Sequence, residues 1–482
     1  MKNNAILISG FLIFLSILLL PLNLPFAQKV TLGVALLMAI YWATEAIPIP
    51  VTSLLPIILF PLFSVESSEE VAKAYIDPVI FLFLGGFILA TAVEKWNLHL
   101  RIALKILLFF KGSLALTLLG FMVSTSFLSM WISNTATTMM MLPITLSVIN
   151  LLKEKSNLPL EKYFRALLLS IAYSSSIGGV GTLIGSPPNL LLASFYSRQF
   201  QENPMTFLKW FLFGFPFVLI LLPLAWLLLI IYSGGFSKLK GNFEELKVYL
   251  SQEKEKLGKT SKEEKAVLFS FLFACLLWIF RAPISFGSFK IPGWSEIFPH
   301  SSFFHDSFVA ILFATSLFFI KIDKKPLLEW NEVEKRVPWG ILLLFGGGLS
   351  LADTFIKSGL SSSIAELFKH FKVLPFPVFL FFICFLMVIL TEFTSNTAIT
   401  ATMLPIIFSV IPQNTQPITF LLPATISASL AFMLPVATPP NAIVFSSGHL
   451  KVSTMLKIGI ILDIIALFLL SFLSLFLLDK IF

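Results

Sequence analysis

Two short polar stretches stand inside otherwise apolar sequence, Ser133-Asn134-Thr135-Ala136 and Ser395-Asn396-Thr397-Ala398. Each runs on to a Met-Leu-Pro-Ile (Met141 to Ile144 and Met403 to Ile406), and nine of the twelve aligned positions match at a separation of 262 residues. Hydroxyl, amide and carbonyl oxygens at such a place suit a hard cation such as sodium, by the logic that gives hard divalent ions oxygen ligands. Helix N-termini and hydroxyl donors suit an anion, because the helix macrodipole puts partial positive charge there. No Lys or Arg occurs in 124–145, 174–195, 390–408 or 430–447. The charge of a small anion bound there must therefore be offset by bound cations and dipoles, which is a physical reason to expect cation coupling.

The elements that must position these residues carry a second pair of motifs. Gly185-Ser186-Pro187-Pro188-Asn189 answers Ala437-Thr438-Pro439-Pro440-Asn441, and upstream Gly85-Gly86 answers Gly346-Gly347. Proline removes a backbone donor and breaks a helix, freeing carbonyls around Gly185 and Ala437. The Gly-Gly pairs read as close packing contacts. Three matches in the same order make the chain two homologous halves. A single Ser-Asn-Thr reads most simply as back-bonding or helix glue. Two copies, each with a matched proline break, read as a site.

The chain has 482 residues, 57% hydrophobic and 12% charged, with 53 Phe. A soluble domain carries about 25% charged residues, so a soluble enzyme, a disordered chain and a disulfide scaffold are excluded. At roughly 20 residues per span, the apolar pool supplies up to about a dozen spans of an all-α polytopic membrane protein. Spans are predicted near 5–21, 30–48, 51–64, 77–97, 163–200, 207–233, 264–281, 305–321, 338–358, 416–448 and 452–479. The first apolar run, 6–20, lacks a small-x-small cleavage site and reads as a retained span rather than a signal peptide. Segments 113–150 and 374–412, apolar but rich in Ser, Thr, Asn and Pro, read as re-entrant hairpins. That count, eleven spans and two hairpins, puts the basic segments 153–165, 238–265 and 321–336 on the cytoplasmic side with the N-terminus. The C-terminus is then extracytoplasmic. The halves have inverted topology, which points to a secondary transporter with its site at the midplane.

The paired tips and breaks resemble the divalent anion/sodium symporter family, whose members carry dicarboxylates, citrate or sulfate, and the resemblance covers nearly the whole chain. It implies a homodimer working as an elevator: scaffold helices in 1–97 and 264–358, and a transport domain in 113–233 and 374–482. Interfacial arm helices at 98–112 and 359–373 join them, and 234–263 is a cytoplasmic loop. It implies one sodium site from Ser129, Ser133, Asn134 and the Gly185 carbonyl, and a second from Thr391, Thr394, Asn396 and the Ala437 carbonyl. The substrate carboxylates would be held by Ser133, Asn134, Thr135, Ser395, Asn396 and Thr397, with Ser186 and Thr438 close by. The family often has Thr where this chain has Ser186, a departure that keeps the hydroxyl.

Several other residues need a role. Glu392 lies three residues before Ser395, where the first half has Met130. An intramembrane carboxylate is a functional candidate: it relays a proton or tunes a sodium site, or else it faces a water-filled vestibule or caps backbone donors. Glu45, Glu94, Asp353 and Asp463 are expected near interfaces or paired within the scaffold. Arg101, Lys105 and Lys111 give the first arm the composition of a membrane-surface helix. Cys275 and Cys384 read as buried small hydrophobes. The five histidines (His99, His300, His305, His370, His449) share no spacing suited to a metal. Phosphate-loop, Gly-x-Ser-x-Gly and His-Glu-x-x-His motifs are absent. The net charge of +8 sits in short inter-span segments, which argues against nucleic acid.

The expected function is sodium-coupled symport of small di- or tricarboxylates, with C4 acids such as succinate, malate and fumarate leading. Sodium ions serve as coupling ions and no other cofactor is expected; the lipid bilayer, here a prokaryotic plasma (inner) membrane, is the setting. The alternatives are a sodium-independent exchanger or sulfate transporter of the same fold and, remotely, a membrane-embedded enzyme.

Overall fold

A computed structural model describes residues 2–110, 112–155, 160–201, 203–239, 244–286, 289–367, 375–412 and 415–482. Lys111 and His370, named above, fall outside these residues, as do parts of 153–165, 238–265 and 359–374.

The chain is almost entirely helical; among the described residues the only strands are the ribbons Ile284–Phe286 with Phe289–Ile291 and Lys321–Ile322 with Lys325–Pro326. Six stretches are long and apolar enough to cross a bilayer on their own: Phe26–Thr44, Ser68–Lys95, Asn134–Glu154, Phe207–Tyr232, Trp339–Lys357 and Val452–Ile481. The outward faces of such helices carry large apolar side chains, as Phe468, Phe472 and Phe476 do on the last helix. In the middle of the molecule lies Glu161–Val180, buried without interruption from Ala166 onward despite Ser170, Ser174, Ser175 and Ser176.

Several expected boundaries shift for identifiable reasons. The span read at 51–64 is two short helices, Ile49–Thr52 and Leu55–Leu62, each opened by a proline in its first turn. The segment 163–200 divides into Glu161–Val180 and Pro187–Gln199, and 416–448 into Ile418–Ser427 and Pro439–Ser446. Each second piece starts on the proline pair, where the missing N–H costs nothing. The first hairpin comprises Leu114–Ser129 and Asn134–Lys155, the second Phe376–Thr391 and Asn396–Val410.

The glycine pairs are packing contacts. A Cβ at Gly85 would stand 2.7 Å from the backbone carbon of Ala310 in the helix Asp306–Phe319, and one at Gly347 would meet the Ser53 backbone. The segment expected as the first arm is the helix Leu98–Phe109, entered through Asn97 in the left-handed region (φ 53°). Its Arg101 corrects the membrane-surface reading. The guanidinium is 5% exposed and binds both Glu264 oxygens at 3.1 Å together with the carbonyls of Gly258 and Leu257. Lys105 remains exposed. The second arm is described as Leu360–Leu367.

Of the four remaining acids, Glu45 is exposed, Glu94 pairs with Arg336 at 3.6 Å within the scaffold segments as expected, and Asp353 pairs instead with Arg198 of Pro187–Gln199, outside them. Asp463 fits neither expectation, being buried with no salt bridge among the described residues. Cys275 and Cys384 are free and buried.

Candidate functional site

Each hairpin tip is made by sequence that cannot continue as helix. The first arm of hairpin one stops at Ser129, and Ser133 caps the second arm, its Oγ accepting the Ala136 N–H at 3.2 Å. Hairpin two stops at Thr391 and restarts at Asn396, with Ser395 at the cap position but making no side-chain capping bond.

Behind each tip lies the same cluster of three oxygens. Ser129 Oγ is 2.7 Å from Asn134 Oδ1 and 2.7 Å from the Ser175 carbonyl. Thr391 Oγ1 is 2.7 Å from Asn396 Oδ1 and 2.7 Å from the Ala428 carbonyl. A hydroxyl has one hydrogen and can donate to only one of its two oxygen neighbours at a time. The hydroxyl proton therefore reaches only one of the two acceptors in each cluster at a time. Three convergent oxygens are the kind of donor set that suits a hard monovalent cation.

The breaks are tied to the tips. Asn189 Nδ2 donates to the carbonyls of Gly179 (2.9 Å) and Thr182 (2.8 Å), and Asn441 Nδ2 to those of Ala431 (3.0 Å) and Leu434 (2.9 Å). Each amide thus replaces backbone partners lost where the helix unwinds. A Cβ at Gly179 would stand 2.9 Å from the Asn134 amide nitrogen, and one at Gly185 would stand 2.6 Å from the Gly179 carbonyl oxygen and 3.1 Å from that of Met130. Glycine at 179 and 185 lets the first break reach the first tip.

The halves also cross. Pro439–Ser446 packs on both Asn134–Lys155 and Glu161–Val180, while Pro187–Gln199 packs on both Asn396–Val410 and Ile418–Ser427. Each break therefore touches the other half's hairpin.

Of the predicted residues, Ser129, Asn134, Thr391 and Asn396 sit in the oxygen clusters, and Gly185 lies against the Met130 carbonyl of the first tip. Ser133 is exposed, Asn134, Thr135, Ser395 and Asn396 are half-buried, and Thr397 is buried. Ser186 and Thr438 are the cap residues of the segments after the breaks, with Thr438 Oγ1 accepting the Asn441 N–H at 3.3 Å. Thr394 Oγ1 donates back to the Leu390 carbonyl at 2.9 Å, so its hydrogen is committed within its own chain turn. The Ala437 N–H is bound to the Leu434 carbonyl at 3.2 Å.

Two contributors were missed by the sequence reading: the Ser175 and Ala428 carbonyls, which carry no residue-type signal at all. Asn189 and Asn441 stood in the repeated motif but without a role; their recurrence after each Pro-Pro was the available signal. Glu392 makes the contacts that the capping reading requires. Its two oxygens accept the N–H groups of Met433 (2.8 Å) and Leu434 (2.9 Å), capping donors freed by the second break.

A family model described as the sodium:sulfate symporter transmembrane region matches residues 1–477. The chain belongs to this divalent anion/sodium symporter family. The sodium-dependent dicarboxylate transporter SdcS of Staphylococcus saprophyticus is 41% identical over 475 residues, covering 96% of this chain and 88% of that protein. The protein of the same name in Staphylococcus aureus (strain NCTC 8325) is 39% identical over 477 residues, covering 95% of this chain and 88% of that protein. As a member of a transporter family, this symporter homologue is a multi-pass membrane transporter and not an enzyme. Two solved structures share the fold. Neisseria gonorrhoeae MtrF matches with TM-score 0.56 and 12% identity over 96% of both chains. The Alcanivorax borkumensis YdaH transporter matches with TM-score 0.51 and 10% identity over 95% of this chain and 99% of that one.

Proposed function

We propose that the protein imports small di- or tricarboxylates, C4 dicarboxylates foremost, by sodium-coupled symport. The observation that carries this reading is the pair of oxygen clusters, Ser129–Asn134–Ser175 and Thr391–Asn396–Ala428, each sharing a single hydroxyl proton and neither served by a basic side chain. A cation bound in each lies behind a tip whose hydroxyls, amides and helix N-terminus face an anion. The substrate dianion is held by Ser133, Asn134 and Thr135 from one tip and Ser395, Asn396 and Thr397 from the other, and two sodium ions balance its charge. Removing either ion leaves one of the dianion's two charges against dipoles alone, so substrate and sodium move together. The dicarboxylate dependence named for the Staphylococcus relatives supports the substrate class.

The segments 113–233 and 374–482 move as a transport domain against 1–97 and 264–358, with the arms 98–112 and 359–373 between them and 234–263 as a cytoplasmic loop. Arg198 of the first broken helix pairs with Asp77 at 2.7 Å and with Asp353, both on the scaffold side, so this contact has to part when the domain travels. The protein acts as a homodimer in the plasma membrane, N-terminus cytoplasmic and C-terminus outside.

The test is uptake of labelled succinate into proteoliposomes by Asn134→Ala and Asn396→Ala at matched protein content. Each is expected to lose uptake by at least about tenfold, roughly the value of one charge-assisted contact. Intact uptake in both would remove the site assignment.

A further inference from the structure

Among the described residues, the ion pairs that join the segments 113–233 and 374–482 to the segments 1–97 and 264–358 all run through one side chain, Arg198. It stands in the last turn of Pro187–Gln199. Its Nε donates to Asp77 Oδ2 at 2.7 Å and its Nη1 donates to Asp353. Asp77 is 5% exposed and has a second task, its Oδ1 accepting the Val79 N–H at 2.9 Å as the cap of Pro78–Lys95. Asp353 is half-buried, one turn before the end of Trp339–Lys357. The neighbouring cation Lys357 is taken by Glu66, which also accepts the Thr354 hydroxyl at 2.9 Å, and stands 3.7 Å from Glu70. Without Arg198, one buried and one half-buried carboxylate are left with no ion pair among the described residues.

The far ends of the same two helices are arranged differently. Pro78–Lys95 runs from Asp77 to Glu94 and Lys95, and Trp339–Lys357 starts three residues after Arg336 and runs to Asp353, so Glu94 and Arg336 mark the end opposite Arg198. There Lys95 pairs with Glu332 at 2.6 Å and Arg336 with Glu94 at 3.6 Å, and both pairs stay within 1–97 and 264–358. A cavity of about 270 Å³ opens beside them, lined by Glu94, Asn97, His99 and Arg336 on one side and by Ala136 and Thr137 on the other. Ala136 and Thr137 follow directly on Ser133-Asn134-Thr135. The first tip is thus approached from the end that carries the basic segment 321–336, while the end that carries Asp77 and Asp353 is bridged.

We propose that Arg198 is a latch: by bridging Asp77 and Asp353 it holds the binding site open to the cytoplasmic side, and its release lets the site turn outward. The proposal rests on the symport reading with its two moving bodies and adds the residue that sets which way the site faces at rest. The bias is electrostatic. Each outward turn parts a charge-assisted pair and leaves the buried Asp77 without its cation. Ligands that favour the outward-facing arrangement must make up that difference.

The rate at which a charged maleimide modifies a cysteine in the cytoplasmic cavity reads the bias. Met140, half-buried and lining that cavity, serves as the reporter position (Met140→Cys) in full-length protein carrying Cys275→Ala and Cys384→Ala. Arg198→Gln is expected to slow modification about tenfold, the value of one charge-assisted contact. Asp353→Asn weakens one of the two contacts and is expected to slow it about threefold. A protein merely loosened by either substitution would react faster, so slowing separates a latch from a structural role. An unchanged or faster rate in Arg198→Gln overturns the latch, and Asp353→Asn decides in the same way if Arg198→Gln does not purify monodisperse. In that case, a reporter rate that sodium and succinate together still alter with Arg198 intact leaves the moving-domain reading standing. A rate that they leave unaltered overturns that reading and the latch with it.

Discussion

The two halves solve one problem with opposite polarity. Each must unwind a helix beside a hairpin tip and satisfy the backbone groups thus freed. In the first half the break supplies the side chain: the Thr182 hydroxyl donates to the Met130 carbonyl of the tip. In the second half the tip supplies it: Glu392 accepts from Met433 and Leu434 of the break. The residue equivalent to Thr182 is Leu434, and the residue equivalent to Glu392 is Met130, so the polar group has changed sides. What the halves keep in common is narrower: the hydroxyl–amide–carbonyl cluster and the asparagine after Pro-Pro. The difference teaches that the repeated oxygens are bound to a shared task, whereas the means of holding the break open is free to drift.

The comparison breaks most sharply at Glu392. Glu392→Ala leaves two half-buried N–H groups without acceptors, and a loss of roughly 2–5 kcal/mol is expected. Met130→Leu at the equivalent position conserves volume and should cost less than about 1.5 kcal/mol. Thermal unfolding in detergent reads both, and equal losses would refute the reversed polarity.

Asn189→Ala and Asn441→Ala each remove two hydrogen bonds to buried carbonyls, so about 1–3 kcal/mol is expected from each, and by similar amounts. The same unfolding measurement checks this. A loss confined to one of them would show that the breaks are not held alike.

The oxygen clusters are the next level down. Ser129→Ala and Thr391→Val each delete the central hydroxyl, and each should raise the sodium concentration for half-maximal uptake by roughly fivefold to tenfold. Thr394→Val is the smallest expected effect, less than about threefold, because its hydrogen is spent on Leu390 and the first half works with Ile132 in its place. Sodium titrations of succinate uptake separate the three. A larger effect at Thr394 than at Thr391 would move the second ion away from the cluster described.

Much of this was legible in the sequence for a physical reason. In a background of Leu, Ile and Phe, a Ser-Asn-Thr or a Pro-Pro-Asn has few conformations that leave no backbone group stranded, so its recurrence fixes a tip and a break. The halves and the hairpins follow from that, and Asn134 and Asn396 stand in the repeated motif, whereas Ser129 and Thr391 were named only through the family resemblance. The Ser175 and Ala428 carbonyls did not, since every residue offers the same carbonyl and only the fold selects which is free. Arg101 misled because a basic residue in an apolar helix looks the same whether it meets lipid headgroups or, as here, a buried Glu264 from a segment far along the chain. The segment 51–64 looked like a span by hydropathy alone, although Pro56 already marked the start of a second helix. Asp463 was placed with the interfacial acids because one sequence cannot show that Gly459, one turn earlier, packs against the Phe432 carbonyl of the second break.

The central claim is that a dianion enters with sodium bound beside the two tips. Labelled succinate uptake into liposomes holding the purified protein tests it directly, comparing an inward sodium gradient with a choline control, each with and without succinate inside. The account predicts sodium-driven accumulation in empty liposomes and little uptake in choline. Uptake that requires internal succinate and ignores sodium would contradict it, making the protein an exchanger and leaving the paired oxygen clusters without a coupling role.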